Sequence, residues 1–326
     1  MKKIHWTYSV AVVSGVILGV TSLTASAKEF ISIGGGGTGG TFNTLASGVA
    51  SRMNDTFDDV RFTVEGSAGS TENIRRIGSG DLQMGITFTG DSYLAANGLE
   101  DFAETGTVDN VRFLGFVFSA VSQLVTTADS GIESIADLEG HRISVGSAGS
   151  GTAQTMDRIL EYFDLEDRVS TSYINGSQSS DQLRNGQLDA YHGQWGVPAG
   201  AIVDTTSSLD AKLISTYDEL KDADFFDAYP FYSEAIIPAG SYSGIDYDVK
   251  SIRDIGILVA SEDVSDDLAY RILESLYSEE GLEHMRAVSN TTREMSLENG
   301  VSGGNFIPLH PGAEQFWRDQ GIELPQ

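Results

Sequence analysis

The sequence predicts an α/β protein made of two similar lobes with a cleft between them. Residues 31–50 supply the first observation: Ile31 and Ile33 form a short apolar strand, Gly34–Gly37 form a turn, and apolar residues then recur at helical spacing. Residues 143–155, ISVGSAGSGTAQT, repeat this order of strand, glycine turn and helix start. Two such units place helix N-termini at the carboxyl edges of two sheets, where ligands bind.

The first 27 residues have the features of a cleaved secretory signal peptide. Lys2 and Lys3 supply basic charge, Val10–Val20 is apolar but short for a membrane span, and Ala25–Ala27 is a small-residue cleavage site. The mature chain is expected to begin at Lys28, in the periplasm; a retained anchor is the alternative. The sequence has no cysteine, which excludes a disulfide and a lipidated N-terminal cysteine.

The mature chain is strongly acidic. Without Lys2 and Lys3, 18 basic residues face 47 acidic ones, a formal charge of −29. Such a surface repels nucleic acid and anionic lipid, so neither is an expected partner. Lysine is scarce, and an acid-rich, lysine-poor surface suits a salty medium, from which we expect a marine or halophilic habitat.

The first lobe continues with elements that the second lobe repeats. Residues 64–82 and 174–188 both run from a strand end through a Gly-Ser loop into a short helix. Ser70 and Ser180 are expected to cap these helices. Leu82–Phe88 is then a third strand, and Asp91 is expected to cap the next helix.

Two longer apolar stretches are expected to cross between the lobes. Val111–Val125 is the outgoing strand and Ile252–Ala260 the returning one, before an amphipathic helix at Val264–Tyr277. The predicted division is residues 28–123 plus 262–326 for lobe 1 and residues 124–261 for lobe 2. Two crossings allow the lobes to hinge.

Three motifs suggest other chemistry and are set aside. Gly34-x-Gly36-x-x-Gly39 fits the dinucleotide fingerprint, but the chain is predicted to be exported and the second glycine turn is spaced differently. No lysine follows the glycines, which excludes a phosphate-loop NTPase. Residues 300–304 match G-x-S-x-G without the preceding strand that a nucleophile elbow needs. The histidines lack metal-ligand spacing, so neither a metal nor a cofactor is expected.

Several side chains are expected at the cleft from their position alone. Gln194 and Trp195 follow the predicted strand Leu188–Tyr191, and sites collect at strand carboxyl ends. His192 lies in the same segment, where it either contacts the ligand or packs in the interior, and packing is the more common role of such a histidine. Phe42, Tyr191 and Trp195 are expected at the cleft edges. The remaining large aromatics are assigned to the core: Phe113, Phe116, Phe118, Phe225, Phe226 and Phe316.

The chain resembles the TAXI-type solute receptors of tripartite ATP-independent periplasmic (TRAP) transporters. The segments that carry the resemblance follow the whole mature chain in order: IGGGGTGGT (33–41), GSTENIR (69–75), ADSGIESIADLEG (128–140), SVGSAGSGT (144–152), LRNGQLDA (183–190), YPFYSEAIIPAGSY (229–242) and IPLHPG (307–312). The last two segments are the most discriminating, because the others recur in other binding proteins.

The resemblance implies a type II periplasmic binding fold that captures a small carboxylate, such as 2-oxoglutarate or glutamate, and delivers it to a TRAP permease. The expected ligand-binding residues are Thr38, Gly39, Gly40, Thr41, Phe42, Ser70, Thr89, Ser147, Ser150, Gly151, Thr152, Gln178, Gln194 and Trp195. Asn43 and Thr89 depart from the family pattern, where an aromatic residue and a glutamine are usual. These departures leave the choice of ligand open.

The residue chemistry agrees with an anionic ligand. Helix-start amides and hydroxyls hold carboxylates through charge-assisted bonds of about 1.5–3 kcal/mol each. The expected cleft offers glycine, serine, threonine and aromatics rather than a catalytic acid, base or nucleophile, so the protein is expected to be a monomeric receptor and not an enzyme. The alternatives are a receptor of an ATP-driven (ABC) importer, a ligand-sensing periplasmic module and, last, an exported enzyme.

Overall fold

A computed structural model describes residues 1–3, 28–38 and 40–325. Nearly all of the predicted signal peptide lies outside the described residues, and so does Gly39. Across the described ranges, no helix is both long enough and apolar enough to cross a bilayer.

The described chain alternates between strands and helices. The strands are β1 (Glu29–Gly34), β2 (Val60–Glu65), β3 (Met84–Phe88), β4 (Val111–Thr127), β5 (Arg142–Ser144), β6 (Ser170–Ser172), β7 (Ala190–Trp195), β8 (Ala211–Ile214), β9 (Ser233–Ile237) and β10 (Val249–Ser261). The helices are α1 (Thr41–Thr56), α2 (Ser70–Gly78), α3 (Thr89–Asn97), α4 (Gly151–Tyr162), α5 (Gly176–Arg184), α6 (Gly200–Ser208), α7 (Tyr217–Asp222), α8 (Phe225–Ala228), α9 (Asp266–Leu276), α10 (Glu279–Val288) and α11 (Pro311–Asp319). Short 3₁₀ turns lie at Glu100–Phe102, Ala136–Leu138 and Asn290–Glu294.

The strands form one continuous sheet with the order β2-β1-β3-β10-β4-β7-β5-β6. In the first lobe, β1 pairs in parallel with β2 and β3, as the strand-helix-strand order requires. Leu45, Val49 and Met53 recur along one face of α1 and are fully buried with Ile31 and Ile33 of β1. This packing places the N-terminus of α1 at the carboxyl edge of the first sheet.

The second lobe repeats the arrangement around β5, which pairs in parallel with β6 and β7. Met156, Ile159 and Leu160 of α4 are buried with Ile143 and Val145. As in the first lobe, the helix therefore starts at the carboxyl edge of its sheet. β8 and β9 extend the second lobe by pairing with β4 and β10.

The strands β4 and β10 cross between the lobes side by side, paired antiparallel from Ser261↔Val111 to Arg253↔Val121. β10 pairs with β9 up to Arg253 and with β3 from Gly256 onward. The ladder between β4 and β10 slips in register at Gly256/Ile257 and at Leu258/Val259. Two α/β lobes on crossing strands confirm the predicted type II periplasmic binding fold; the residue numbers given for the lobes stay a prediction.

Three predicted helix caps, Ser70, Ser180 and Asp91, are wrong. The α2 N-cap is Gly69, and the Ser70 hydroxyl instead accepts a hydrogen bond from the Phe88 amide at 2.8 Å. α5 starts at Gly176 rather than near Asp181, because Asn175 and Gln178 form a capping box. Asp91 lies in the first turn of α3 and does not cap it.

Candidate functional site

The second glycine turn lies against the loop that precedes α2, where the lobes meet. A methyl group added at Gly69 would lie 3.5 Å from the Cα of Ser150, and one added at Gly149 would lie 3.5 Å from the Ala68 Cβ. Gly36, in the first glycine turn, lies beside the same loop, with 3.8 Å between an added methyl group and the Gly69 Cα. Both glycine turns therefore contact the loop that precedes α2.

Phe88 connects the starts of α1 and α4. Its ring centroid lies 4.9 Å from that of Phe42 in the first turn of α1 and 6.3 Å from that of Phe118 on β4. A methyl group on Gly151, the first residue of α4, would lie only 2.3 Å from the Phe88 ring. Glycine at position 151 is therefore needed for α4 to approach the first lobe this closely.

The helix starts at the interface differ in charge. The first turns of α1 and α4 contain no acidic residue, and the Gly40 N-cap of α1 makes no side-chain capping bond. By contrast, Glu72 lies in the first turn of α2 and Asp91 in that of α3. Among the helices that start at this interface, α1 and α4 therefore have no acidic residue of their own in the first turn. Because free helix N-termini favour anions, these two starts are the ones suited to an anionic ligand.

His192 and Gln194 lie on the face of β7 that is turned toward α4. They share that face with Ala190, which is buried with Met156 of α4. The parallel pairing with β5 ends at Ser144↔Tyr191, so the residues from His192 to Trp195 carry β7 past the carboxyl end of β5, where the turn before α4 begins. Gln194 therefore lies on the α4 side of the sheet, at the end of β7 nearest the α4 start.

The polar atoms of these two side chains are incompletely paired. Gln194 is 2% exposed, and within the described chain neither its Oε1 nor its Nε2 has a hydrogen-bond partner. His192 bonds to the Ser122 hydroxyl through Nε2 at 2.9 Å, while Nδ1 has no partner there. Burial lowers the pKa of His192 to about 4, so the ring is neutral at pH 7. Buried polar atoms usually have hydrogen-bond partners, so the unpaired atoms of Gln194 and His192 are suited to bind a polar ligand.

A buried ion-pair network joins α4 to the first lobe. Arg158 donates to Asp91 Oδ1 at 2.9 Å, to Glu100 Oε2 at 2.8 Å and to the Tyr232 hydroxyl at 3.0 Å. The Arg158 side chain is only 5% exposed and that of Asp91 2%. Gly151, Thr155 and Arg158 follow one another at i, i+4 and i+7, so one stripe of α4 makes these contacts.

The carboxyl groups around Arg158 are unequally satisfied. Asp254 accepts from the amides of Gly90 and Ile255, and burial, followed by the charge of Asp91, raises its pKa to about 8. Burial also raises the pKa of Glu100. Asp91 Oδ2, in contrast, has no hydrogen-bond partner among the described residues, and it lies 2.5 Å from where a Gly151 Cβ would be.

Some predicted site residues gather at this interface. Phe42, Ser147, Ser150, Gly151, Thr152 and Gln194 lie at the two helix starts or at the end of β7 nearest the α4 start. The Ser150 hydroxyl caps α4, accepting from the Ala153 amide at 3.2 Å. Ser70 and Thr89 are buried, and their hydroxyls bond to the backbone of Phe88 and Ile255. Both position the backbone around Phe88 rather than presenting a free hydroxyl.

Other predicted residues lie farther from the contact. Thr38 and Gly40 are exposed and Thr41 is half-buried at the start of α1, while Gly39 lies outside the described residues. Gln178 is exposed in the α5 capping box. Trp195 packs over Gly193 and Gly176, on the α5 side of β7 and away from His192 and Gln194. Tyr191, expected at a cleft edge, is fully buried and bonds to Thr205 at 2.8 Å.

The network of Arg158, Asp91, Glu100 and Asp254 was not predicted as part of the site. Its members come from α4, α3, a 3₁₀ turn and β10, so no local spacing links them. The available signal was the stripe Gly151-Thr155-Arg158, which sets an arginine on the same helical face as the predicted helix-start glycine.

Two surface hollows lie elsewhere in the first lobe. One, of about 320 Å³, lies between residues 304–309 and the C-terminal segment around Arg318 and Pro325. The other, of about 460 Å³, lies between α1, α9 and α10 and is lined by Arg52 and Arg271. Neither includes a predicted ligand-binding residue.

The chain is similar to one family model and to several solved structures. The model of the NMT1-like family matches residues 33–321. A protein from Bordetella bronchiseptica RB50 is 16% identical with a TM-score of 0.50, the match covering 90% of this chain and 82% of that one. This match supports a shared fold alone.

Two further solved structures are similar at a lower level. The periplasmic aliphatic sulphonate binding protein SsuA from Escherichia coli is 11% identical with a TM-score of 0.46, over 90% of this chain and 84% of that one. A putative L-cystine ABC transporter protein from Listeria monocytogenes is 15% identical with a TM-score of 0.49, over 82% of this chain and 98% of that one.

Proposed function

Because the chain belongs to the NMT1-like family and the starts of α1 and α4, one from each lobe, both contact Phe88, we propose that it is an extracytoplasmic solute receptor. It captures a small carboxylate in the interlobe cleft and hands it to a membrane importer. The observation that carries the proposal is Gln194, a buried amide with neither polar atom paired, lying at the end of β7 nearest the α4 start. An unpaired amide of this kind costs stability unless a ligand completes it.

The ligand class that we propose is a dicarboxylate or acidic amino acid, such as 2-oxoglutarate or glutamate. The acid-free starts of α1 and α4 come from different lobes and both contact Phe88, so each can take one carboxylate. Because His192 is neutral, the ligand carboxylates are bound by backbone amides and Gln194. The apolar rings of Phe42, Phe88 and Phe118 suit the carbon chain between two carboxylates.

The ligand is tested by calorimetry on refolded, ligand-free protein with C4 to C6 dicarboxylates and acidic amino acids. We expect heat of binding for at least one of them. Small molecules released from protein purified without refolding, identified by mass spectrometry, provide an independent check. A panel without any binding would contradict the assignment to this ligand class.

A matched pair of glutamines tests the role of Gln194. Gln194→Leu replaces an unpaired amide, so we expect about tenfold weaker binding with unfolding stability unchanged or raised by about 1 kcal/mol. Gln123 on β4 is fully engaged, since it accepts from the Tyr242 hydroxyl at 2.6 Å and donates to Val121 and Trp195. Gln123→Leu should therefore cost about 2 kcal/mol in urea unfolding. Undiminished ligand affinity in Gln194→Leu would remove Gln194 from the site.

The importer is proposed at two levels. The coarser proposal is a membrane permease for small solutes. At the finer level, an ABC importer is the alternative considered from the sequence, and the similar protein from Listeria monocytogenes is described as an ABC transporter. The TRAP permease rests on the sequence resemblance. Uptake into membrane vesicles separates the two, because collapse of the ion gradient stops a TRAP transporter and ATP depletion stops an ABC importer.

A further inference from the structure

The carboxylate of Asp91 is buried beside the α4 start, and only one of its two oxygens accepts a hydrogen bond. Its Oδ1 accepts from Arg158 at 2.9 Å, while Oδ2 has no donor within the described chain. Asp91 is 1% exposed, so this oxygen has almost no contact with bulk solvent. A buried carboxylate oxygen without a donor is costly.

The position of Oδ2 relates it directly to the proposed carboxylate site. It lies 2.5 Å from where a Gly151 Cβ would be, and Cβ bonds in a helix tilt toward its N-terminus. Oδ2 therefore lies against the flank of the first turn of α4, beside the free amides of that turn. A donor bound there would be next to any carboxylate held by those amides.

The surrounding charge favours a cationic donor. Arg158 is the one guanidinium beside the carboxylates of Asp91 and Glu100, while Asp254, whose pKa is raised to about 8, is mostly neutral at pH 7. The ring of His192 is neutral at pH 7, and Gln194 carries no charge. A ligand that offers only negative groups would meet an excess of negative charge beside Asp91.

We propose that the cleft selects an α-amino acid over the oxo acid or dicarboxylic acid that lacks the nitrogen. The ammonium group of the ligand binds Asp91 Oδ2, and its α-carboxylate binds the amides at the start of α4. In an α-amino acid the ammonium and carboxylate groups are attached to the same carbon. This short separation suits Asp91 Oδ2 and the α4 amides, which both lie next to Gly151. This selection deepens the proposed solute-receptor function and rests on it.

The test compares matched ligands by calorimetry on refolded protein. The pairs are L-glutamate with 2-oxoglutarate and L-leucine with 4-methyl-2-oxopentanoate, with glutarate as the nitrogen-free dicarboxylate. We expect at least one amino acid to bind about tenfold or more tightly than its oxo acid, as a charge-assisted bond predicts. Equal or reversed affinities, or binding of no amino acid, would overturn the selection.

The same titrations separate this selection from the proposed ligand class. Binding of 2-oxoglutarate or glutarate with the same affinity as L-glutamate overturns the selection and leaves the dicarboxylate receptor intact. Binding of L-leucine alone supports the selection and overturns the dicarboxylate class.

Two variants assign the effect to the Asp91 carboxylate. Asp91→Asn keeps an acceptor for Arg158 but removes the charge. The affinity of this variant for L-glutamate should therefore fall to its affinity for 2-oxoglutarate. Glu100→Gln, which also faces Arg158, should keep the preference, because Glu100 is not at the α4 start. If Asp91→Asn does not fold, the matched ligand pairs measured on the wild-type protein still test the selection. A preference that survives in folded Asp91→Asn would overturn the role of Asp91.

Discussion

Replacing Arg158 with Met should lower the free energy of unfolding by about 3–5 kcal/mol. Met keeps most of the volume of the side chain but leaves Asp91 and Glu100 in a buried site without their counter-ion. Removing one partner of a buried pair is costly because the remaining charge is neither solvated nor paired. Urea unfolding followed by circular dichroism measures the loss.

The matched control for this substitution is Arg318→Met. Arg318 pairs with Glu314 at 2.6 Å on the surface of α11, where both side chains are about half exposed. Pairs of this kind contribute about 0.5 kcal/mol or less, so the control should unfold almost as the wild type does. A loss below about 1 kcal/mol in Arg158→Met would show that the network is not holding α4 against the first lobe.

Replacing Gly151 with Leu should weaken ligand binding by at least about 100-fold, or about 2.7 kcal/mol. A Cβ at this position would lie 2.3 Å from the Phe88 ring and 2.5 Å from Asp91 Oδ2, so a larger side chain pushes α4 away from the first lobe. Within the second lobe α4 is held by Met156, Ile159 and Leu160, which the substitution does not touch. The helix should therefore stay folded while the two lobes separate.

Calorimetry and small-angle scattering together test this expectation, with Gly200→Leu as the control. Gly200 begins α6, and a methyl group there would meet no atom within 4 Å. Gly200→Leu should bind normally and keep the wild-type radius of gyration. Normal affinity in Gly151→Leu would place the ligand site away from the start of α4.

The sequence predicted the fold well where patterns are local. The alternation of strand, glycine turn and helix around Ile33 and Ile143 is confirmed, as are the two crossing strands, because burial on both sides makes them long and apolar. Helix α10 was missed, since Gly281 interrupts its pattern close to the Ser278 cap. At α5, Asn175, Ser177 and Ser180 compete as caps, and only the reciprocal bond of Gln178 decides between them.

The candidate site was less predictable, because its polar contacts join distant parts of the chain. Arg158 is separated by 67 residues from Asp91 and by 74 from Tyr232. An arginine on an amphipathic helix usually faces solvent, and only the approach of the first lobe buries this one. Whether the predicted residues bind ligand stays a prediction.

The slipped register between β4 and β10 has a mechanical consequence. The crossing strands are hydrogen-bonded to each other, and their regular pairing is interrupted at Gly256/Ile257 and Leu258/Val259. Gly256 pairs with Phe118 on one side and with Phe88 on the other. We therefore expect the two strands to bend there as one unit, so that the outer parts of the lobes move much farther than the aromatic side chains at the bend.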